Sequence, residues 1–211
     1  MKKNVILLLC GIGILGACNS PEGGVDRDTM DEATADTAVA YEDERGRVEA
    51  DGAEVITVEE TYWTNIDWDA PETDDAAMKE AGIEARATNE YNIYTLDDRV
   101  LFDTDKAEIR AEGEEKLQQV ADALKKLPPN AVIRVFGYTD ARAGAAYNKE
   151  LSKERANAVK DWLQNKGNVA ANRLSVGAMG EQAPRATNET PEGRQLNRRV
   201  SIVAITRAPQ P

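Results

Sequence analysis

Two residues of opposite charge, Asp140 and Arg155, are spaced to grip a ligand. Asp140 closes the run Gly137-Tyr138-Thr139-Asp140, directly after the apolar stretch Val132-Ile133-Arg134-Val135-Phe136. That stretch is short and rich in β-branched residues, so it reads as a buried strand. Asp140 then stands just past the strand's carboxyl end, where open α/β sheets place ligand sites. Arg155 lies on a helical pattern. At 100° per residue it shares one side with Asn148, Leu151, Ser152, Val159, Trp162 and Leu163, while Lys153, Asn157 and Lys160 point away. An arginine inside an apolar stripe needs a partner, because an unpaired buried charge costs several kcal/mol or more. Three partners fit the spacing: an internal carboxylate, water reached by snorkelling, or a ligand.

The elements that position this pair follow from the flanking sequence. A small-residue loop, Ala141 to Ala146, leads into a helix from about Tyr147 to Lys166. Asn148 sits at its start, a residue type common at helix caps, and Gly167 is suited to a left-handed cap at its end. Upstream, Tyr91 to Phe102 reads as extended structure with a turn at Asp97-Asp98. Ala111 to Leu127 is an amphipathic helix with Leu117, Val120, Leu124 and Leu127 at helical spacing, stopped by Pro128-Pro129. Downstream come a strand at Arg173 to Ala178, a polar loop from Gly180 to Glu192, a short turn or helix at Gly193 to Asn197, and a last strand from Arg199 to Ile205. In that last strand Val200, Ile202 and Val203 are core candidates. Arg198 and Arg199 read as residues that fix the loops, with an approach of Arg198 to the ligand site as the other reading. The expected fold class is α+β, a βαβαβ(α)β two-layer sandwich with a mixed four-stranded sheet.

The pattern Asn148-x-x-Leu151-Ser152-x-x-Arg155-Ala156-x-x-Val159-x-x-x-Leu163, preceded by Gly-Tyr-Thr-Asp140 and followed by Gly180-Glu181 and Asn197-Arg198-Arg199-Val200, resembles the OmpA-like peptidoglycan-binding domain. The similarity runs from about Val100 to Ile205. It implies a strand order of 1-4-2-3 with the last strand antiparallel. It also implies that Asp140 and Arg155 hold diaminopimelate of the peptidoglycan stem peptide, the carboxylate accepting from its ammonium and the guanidinium holding its carboxylate. A lysine-type stem lacks that carboxylate and would leave Arg155 unpaired. The run Phe102-Asp103-Thr104-Asp105-Lys106 resembles the family's first loop, which lines the pocket. Asp105 is therefore a candidate ligand residue there, and equally a turn aspartate. Asn148 joins the candidate set by its place in the signature. Binding of this kind is non-covalent and calls for no cofactor.

Composition narrows the chemistry. The chain of 211 residues has no histidine and two cysteines, Cys10 and Cys18, both near the start. Once Cys10 leaves with a signal peptide and Cys18 is lipidated, no thiol or imidazole remains for acid–base chemistry, nucleophilic catalysis or a zinc site. No metal site is expected, and the chain does not read as an enzyme. Charge is uneven: residues 19–99 carry 24 Asp and Glu against 6 Lys and Arg, and residues 100–211 carry 14 against 18. The acidic half would repel phosphates, so nucleic acid is not an expected partner.

The first residues have a secretory layout. Met1-Lys2-Lys3 precedes an apolar run from Val5 to Ile14, too short to span a bilayer. Leu15-Gly16-Ala17-Cys18 resembles a bacterial lipobox, which implies a signal peptide over 1–17 and acyl chains on Cys18. The plainer alternative is an ordinary signal cleaved nearby, leaving a free thiol. Asn19 in place of Asp favours the outer membrane, with the domain facing the periplasm. Residues 18–54 are acidic and poor in large apolar residues, and read as a disordered tether.

Residues 55–90 are a partly structured linker ahead of a binding domain at 91–211. Val55 to Val58 suits a strand, and Thr73 to Arg86 a short exposed helix. The stretch from Thr61 to Trp68 holds two of the three tryptophans. These could dock on the domain, bind a partner or sit at a membrane. The resulting expectation is a lipid-anchored outer-membrane protein that ties the membrane to diaminopimelate-type wall, the role of a peptidoglycan-associated lipoprotein. Two other classes remain: an envelope adaptor that binds other envelope proteins through Trp63 and Trp68, and a wall-metabolising enzyme, for which the residue types are poor.

Overall fold

A computed structural model of the chain describes residues 58–207. The expected signal segment, Cys18, the acidic tether and most of the Val55 to Val58 strand lie outside the described residues. Twelve elements follow in order, eleven of them labelled here: α1 (Glu60–Thr64), α2 (Ala76–Glu80), β1 (Glu84–Ala87), β2 (Tyr91–Asp97), α3 (Asp98–Leu101), α4 (Ala111–Lys125), β3 (Val132–Tyr138), α5 (Ala145–Asn165), a 3-10 turn at Ala171–Arg173, β4 (Leu174–Gly180), α6 (Pro191–Asn197) and β5 (Arg199–Ile205).

The sheet has five strands in the order β1-β2-β5-β3-β4. β3 and β4 run parallel, and β5 is antiparallel to both of its neighbours, β2 and β3. Apart from β1, this is the expected 1-4-2-3 order with an antiparallel last strand. The fifth strand corrects the expected count of four. β1 lies where a short exposed helix was expected from Thr73 to Arg86. The helix exists but stops at Glu80, and Glu84–Ala87 pairs antiparallel with β2, Glu84 opposite Thr95 and Ala87 opposite Asn92. Its sequence, Glu-Ala-Arg-Ala, has no β-branched residue, so pairing with β2 and not local propensity makes it a strand.

A second correction concerns Val100 to Phe102. They do not continue the strand. The Asp97 side chain accepts from the Arg99 N–H at 2.8 Å, capping the one-turn helix α3. The chain thus leaves β2 in a tight turn that places Asp98 at 5 % exposure. At the end of α5 the left-handed residue is Asn168 (φ 54°) and not Gly167. Gly167 is needed for closeness instead, since a Cβ there would lie 2.6 Å from the Leu163 carbonyl oxygen.

Strand alternation sorts side chains onto two faces. Ile133, Val135, Val200, Ile202 and Ala204 face the helices and pack with Leu117, Val120 and Leu124 of α4 and with Val159 and Leu163 of α5. α5 approaches β3 closely at Gly137, where a Cβ would lie 2.1 Å from the Ser152 carbonyl oxygen. Only glycine lets the helix bearing Arg155 sit this near the strand that ends at Asp140.

The opposite face carries Ile93, Phe136, Tyr138, Val203 and Ile205. It is covered by Val58, Trp63 and Ile66 from the segment ahead of the sheet. Trp63 lies 6.0 Å from Phe136 between ring centroids, and Trp68 meets Phe136 and Tyr138 edge-on at 5.5 and 5.9 Å. Such pairs contribute about 0.5–1.5 kcal/mol each beyond their burial. Arg134 stacks over Trp63 at 4.4 Å and reaches Glu60 at 2.7 Å. Docking is therefore the role of the aromatic segment among the three that its composition allowed. With Trp63 at 4 % exposure, its indole is not free to receive a partner.

Candidate binding site at the carboxyl end of β3

Asp140 follows β3 by two residues. Its position is pinned by the neighbouring Thr139 N–H, which donates to the Gly180 carbonyl at the end of β4 at 2.8 Å. The two strands shift register here, with Gly137 opposite Ala178 but Tyr138 opposite Gly180. An irregularity of this kind re-aims the chain beside a site. The Asp140 side chain is buried and receives three donors. Oδ1 accepts from the Arg142 backbone N–H at 3.1 Å, and Oδ2 from Arg142 Nε at 2.9 Å and Arg198 Nη1 at 2.6 Å. Burial pushes its carboxyl up, but the hydrogen bonds from Arg198 and Arg142 more than offset this and hold it below the usual carboxylate range.

Arg155, on α5, is 4 % exposed. Its Nε donates to the Lys106 carbonyl at 3.1 Å, its Nη1 donates to Asp98 Oδ2 at 3.1 Å, and its guanidinium lies 5.2 Å over the Phe102 ring. The arginine therefore has the internal carboxylate that periodicity alone allowed, and that carboxylate is Asp98. Its second terminal nitrogen, Nη2, has no partner among the described residues. Burial pushes the Asp98 carboxyl above its ordinary value, against the pull of Arg155 and then of Arg198.

Arg198 lies between the two carboxylates. Besides its bond to Asp140, its Nε is 3.6 Å from Asp98 Oδ1, and its Nη2 donates to Gln195. Gln195 Nε2 in turn donates to Asp97 at 2.6 Å and Asp98 at 3.3 Å. Asp140 and Arg155 thus do not touch each other. They are joined through a chain of alternating charge, Arg155–Asp98–Arg198–Asp140–Arg142.

The remaining candidates fall around this chain. Asn148 is not the helix cap. That position is Gly144, and Asn148 lies inside the first turn at 2 % exposure. Its Nδ2 donates to the Ala143 carbonyl at 3.0 Å and to Glu181 Oε2 at 2.7 Å, which ties the small-residue loop to the end of β4. Asp105 is exposed in a left-handed turn (φ 56°), directly before the Lys106 carbonyl that Arg155 uses. Ser152 donates to the Lys149 carbonyl and accepts from the Gly180 N–H at 3.0 Å. Asn197 is 1 % exposed and bonds Arg185 N, Ala186 N, the Ala186 carbonyl and Asn188. Asn188 then accepts from the Ala141 N–H at 3.2 Å, linking the polar loop to the Asp140 loop.

By its sequence Asp98 is a turn residue and Arg198 a residue that fixes the loops; the structure adds both to the site. One signal pointed to Asp98: a buried arginine requires a carboxylate, and Asp97-Asp98 ends the only strand upstream of α4 within the expected domain.

Residues 101–198 match the OmpA family. Outer membrane protein A of Bordetella avium is 32 % identical over 173 residues, which cover 82 % of this chain and 87 % of that protein. The chain belongs to the OmpA family. The resemblance carried by the signature residues is thereby established. Outer membrane protein Omp38 of Acinetobacter baumannii is 43 % identical over 102 residues, 48 % of this chain. The match spans only 28 % of Omp38, so the likeness to it is confined to the domain. Among solved structures, the cell wall anchor of the T6SS from Pseudomonas aeruginosa aligns with a TM-score of 0.56 at 31 % identity, over 63 % of this chain and 94 % of that one. This OmpA-family α+β domain is the frame on which the charged chain is built.

Proposed function

We propose that the chain binds diaminopimelate-type peptidoglycan non-covalently and ties the outer membrane to the cell wall. The observation that carries this reading is the buried network joining Asp140 to Arg155, with one face of the Arg155 guanidinium unspent. A free diaminopimelate terminus offers an ammonium and a carboxylate. The ammonium reaches Asp140, where it competes with or joins Arg142 and Arg198. The carboxylate accepts from Arg155 Nη2, giving a charge-assisted hydrogen bond of the stronger class. A lysine stem supplies no such carboxylate, and selectivity follows from the missing partner. No bond is made or broken, and no group in the network is disposed as a nucleophile. The relatives' names, an outer membrane protein and a cell wall anchor, are in keeping with this role.

In the same reading Cys18 carries the acyl chains that hold the protein in the outer membrane. The wall-binding domain faces the periplasm, and residues 1–17 are removed. Multiple acyl chains make such an anchor stable, since each buried CH₂ contributes about 0.8 kcal/mol.

The test is co-sedimentation of the full chain, in mild detergent, with purified diaminopimelate-type and lysine-type peptidoglycan. Wild type is expected to sediment with the first and stay in solution with the second. Asp140→Ala and Arg155→Ala, each checked for folding, are expected to stay in solution with both. A folded wild type that ignores both walls overturns the proposal. Mass spectrometry of the envelope-extracted protein tests the anchor, and an unmodified Cys18 would refute it.

A further inference from the structure

The carboxylate of Asp98 touches two of the three arginines of the network, Arg155 and Arg198, and the wall-binding reading gives it no role of its own. We propose that Asp98 is the positioning residue of the site: without contacting ligand, it sets where Arg155 and, through Arg198, Asp140 stand. The proposal rests on Asp140 and Arg155 being the ligand grips.

Four observations support it. Asp98 and Arg155 side chains are 6 % and 5 % exposed, so a ligand has little access to Asp98 itself. Both Asp98 oxygens are engaged, Oδ2 by Arg155 at 3.1 Å and Oδ1 by Gln195 at 3.3 Å with Arg198 Nε at 3.6 Å. The backbone is fixed as well, because the Asp98 N–H donates to the Arg198 carbonyl at 3.2 Å. Finally, Arg198 passes the constraint on through its 2.6 Å bond to Asp140.

The consequence is a guanidinium with little left to lose on binding. The Lys106 carbonyl holds Arg155 by Nε and Asp98 holds it by Nη1, which leaves Nη2 as the nitrogen without a partner among the described residues. A donor held this way costs less ordering when ligand arrives, and a fixed separation between grips favours the ligand whose charges match it. An aspartate that only neutralised Arg155 for folding would affect stability alone. A positioning aspartate affects discrimination between stems.

The decisive experiment measures affinity of the full chain, in mild detergent, for two soluble stem peptides by calorimetry, one ending in meso-diaminopimelate and one in lysine. Asp98→Asn keeps the shape and one acceptor for Arg155 but turns N–H groups towards Arg198 and Gln195. It is expected to fold, to bind the diaminopimelate stem about tenfold more weakly, and to discriminate less between stems. Gln195→Ala, on the half-exposed face of α6, loosens Asp98 without removing a charge, and an affinity loss of two- to threefold is expected. If wild type binds and folded Asp98→Asn matches it in affinity and discrimination, positioning fails while the wall-binding reading stands. If Asp98→Asn does not fold, an unchanged Gln195→Ala overturns the proposal in its place. If wild type binds neither stem, both readings fall together.

Discussion

Two networks of charge hold this domain, and they differ in what they leave over. At the β1 edge, Arg185 grips Glu84 with two parallel bonds of 2.6 and 2.8 Å, while Arg86 reaches Glu84 at 2.6 Å, the Ala70 carbonyl at 2.7 Å and Glu72 at 3.2 Å. Each guanidinium is matched against carboxylates, and the side chains of Glu84 and Arg185 are 30 % and 27 % exposed. Beside them lies a cleft of about 440 Å³ lined by Glu72, Lys79, Glu84, Arg86 and Arg185. At the carboxyl end of β3, by contrast, Asp98, Asp140 and Arg155 are nearly excluded from water, and Arg155 keeps a donor edge unspent. The more open cleft is the poorer binding candidate, because its charges already satisfy each other. Residual hydrogen-bonding capacity in a buried, preorganised network marks a recognition site better than concavity does.

The largest effect that would sharpen this contrast comes from Arg155→Ala. It removes the nearer of the two arginines that face the buried Asp98 carboxylate, leaving Arg198 at 3.6 Å, as well as removing a ligand grip, so a stability loss of about 3 kcal/mol is expected along with loss of wall binding. Chemical denaturation of wild type and variant measures the first. A loss below about 1 kcal/mol would mean that the Asp98 pair is no more buried in effect than a surface bridge.

Asp140→Ala comes next. Arg198 keeps Asp98 as a partner, so stability is expected to change little, whereas affinity for the diaminopimelate stem is expected to fall about 10- to 100-fold, the range for a lost hydrogen bond to a charged group. Because Arg198 and Arg142 hold the Asp140 carboxyl below its usual range, wild-type binding is expected to persist as pH is lowered to about 4, the ordinary aspartate value. Binding that fades well above that pH points either to a different acceptor or to protonation of Asp98, whose carboxyl burial raises; the Asp98→Asn variant, which has no such carboxyl, separates the two.

The same contrast explains what could be read from sequence. Strands β2 to β5 and the placing of Asp140 and Arg155 near one end of the sheet were legible, because short apolar, β-branched runs and a spaced signature carry them, whereas the strand order followed only from the family resemblance. Asp98 was not legible. Its burial depends on Asp97 capping a one-turn helix, a local choice that competes with a plain turn and leaves no periodicity. β1 escaped for a related reason, since a four-residue polar strand exists only through its partner β2. The docked tryptophans were ambiguous because composition shows that aromatics need cover but not which surface supplies it. Only the spacing of Phe136 and Tyr138 on the outer face of β3 resolves that.

Arg185→Ala tests the other half of the comparison. The Glu84 pair is partly screened by solvent, so a cost of about 1 kcal/mol is expected, with affinity for the diaminopimelate stem unchanged. Weakened binding at constant fold would show that the edge network reports to the site, through the Arg185 backbone that Asn197 holds at 2.8 Å.

The smallest effect lies in the acid limb of the stability curve. The bidentate hydrogen bonds from Arg185, opposed by burial and supported by Arg86, lower the Glu84 carboxyl from 4.5 to about 2. A carboxyl lowered on folding stabilises the protein fully above its unfolded value, and that contribution is lost as pH falls from about 4.5 towards about 2. At about 1.4 kcal/mol per unit the ceiling is about 3 kcal/mol, which partial exposure reduces to about 1. Wild type and Arg185→Ala should therefore differ in stability above about pH 5 and converge on acidification. If the two curves stay parallel down to pH 2, Arg185 contributes through the packing of its stem against β1 and not through its charge.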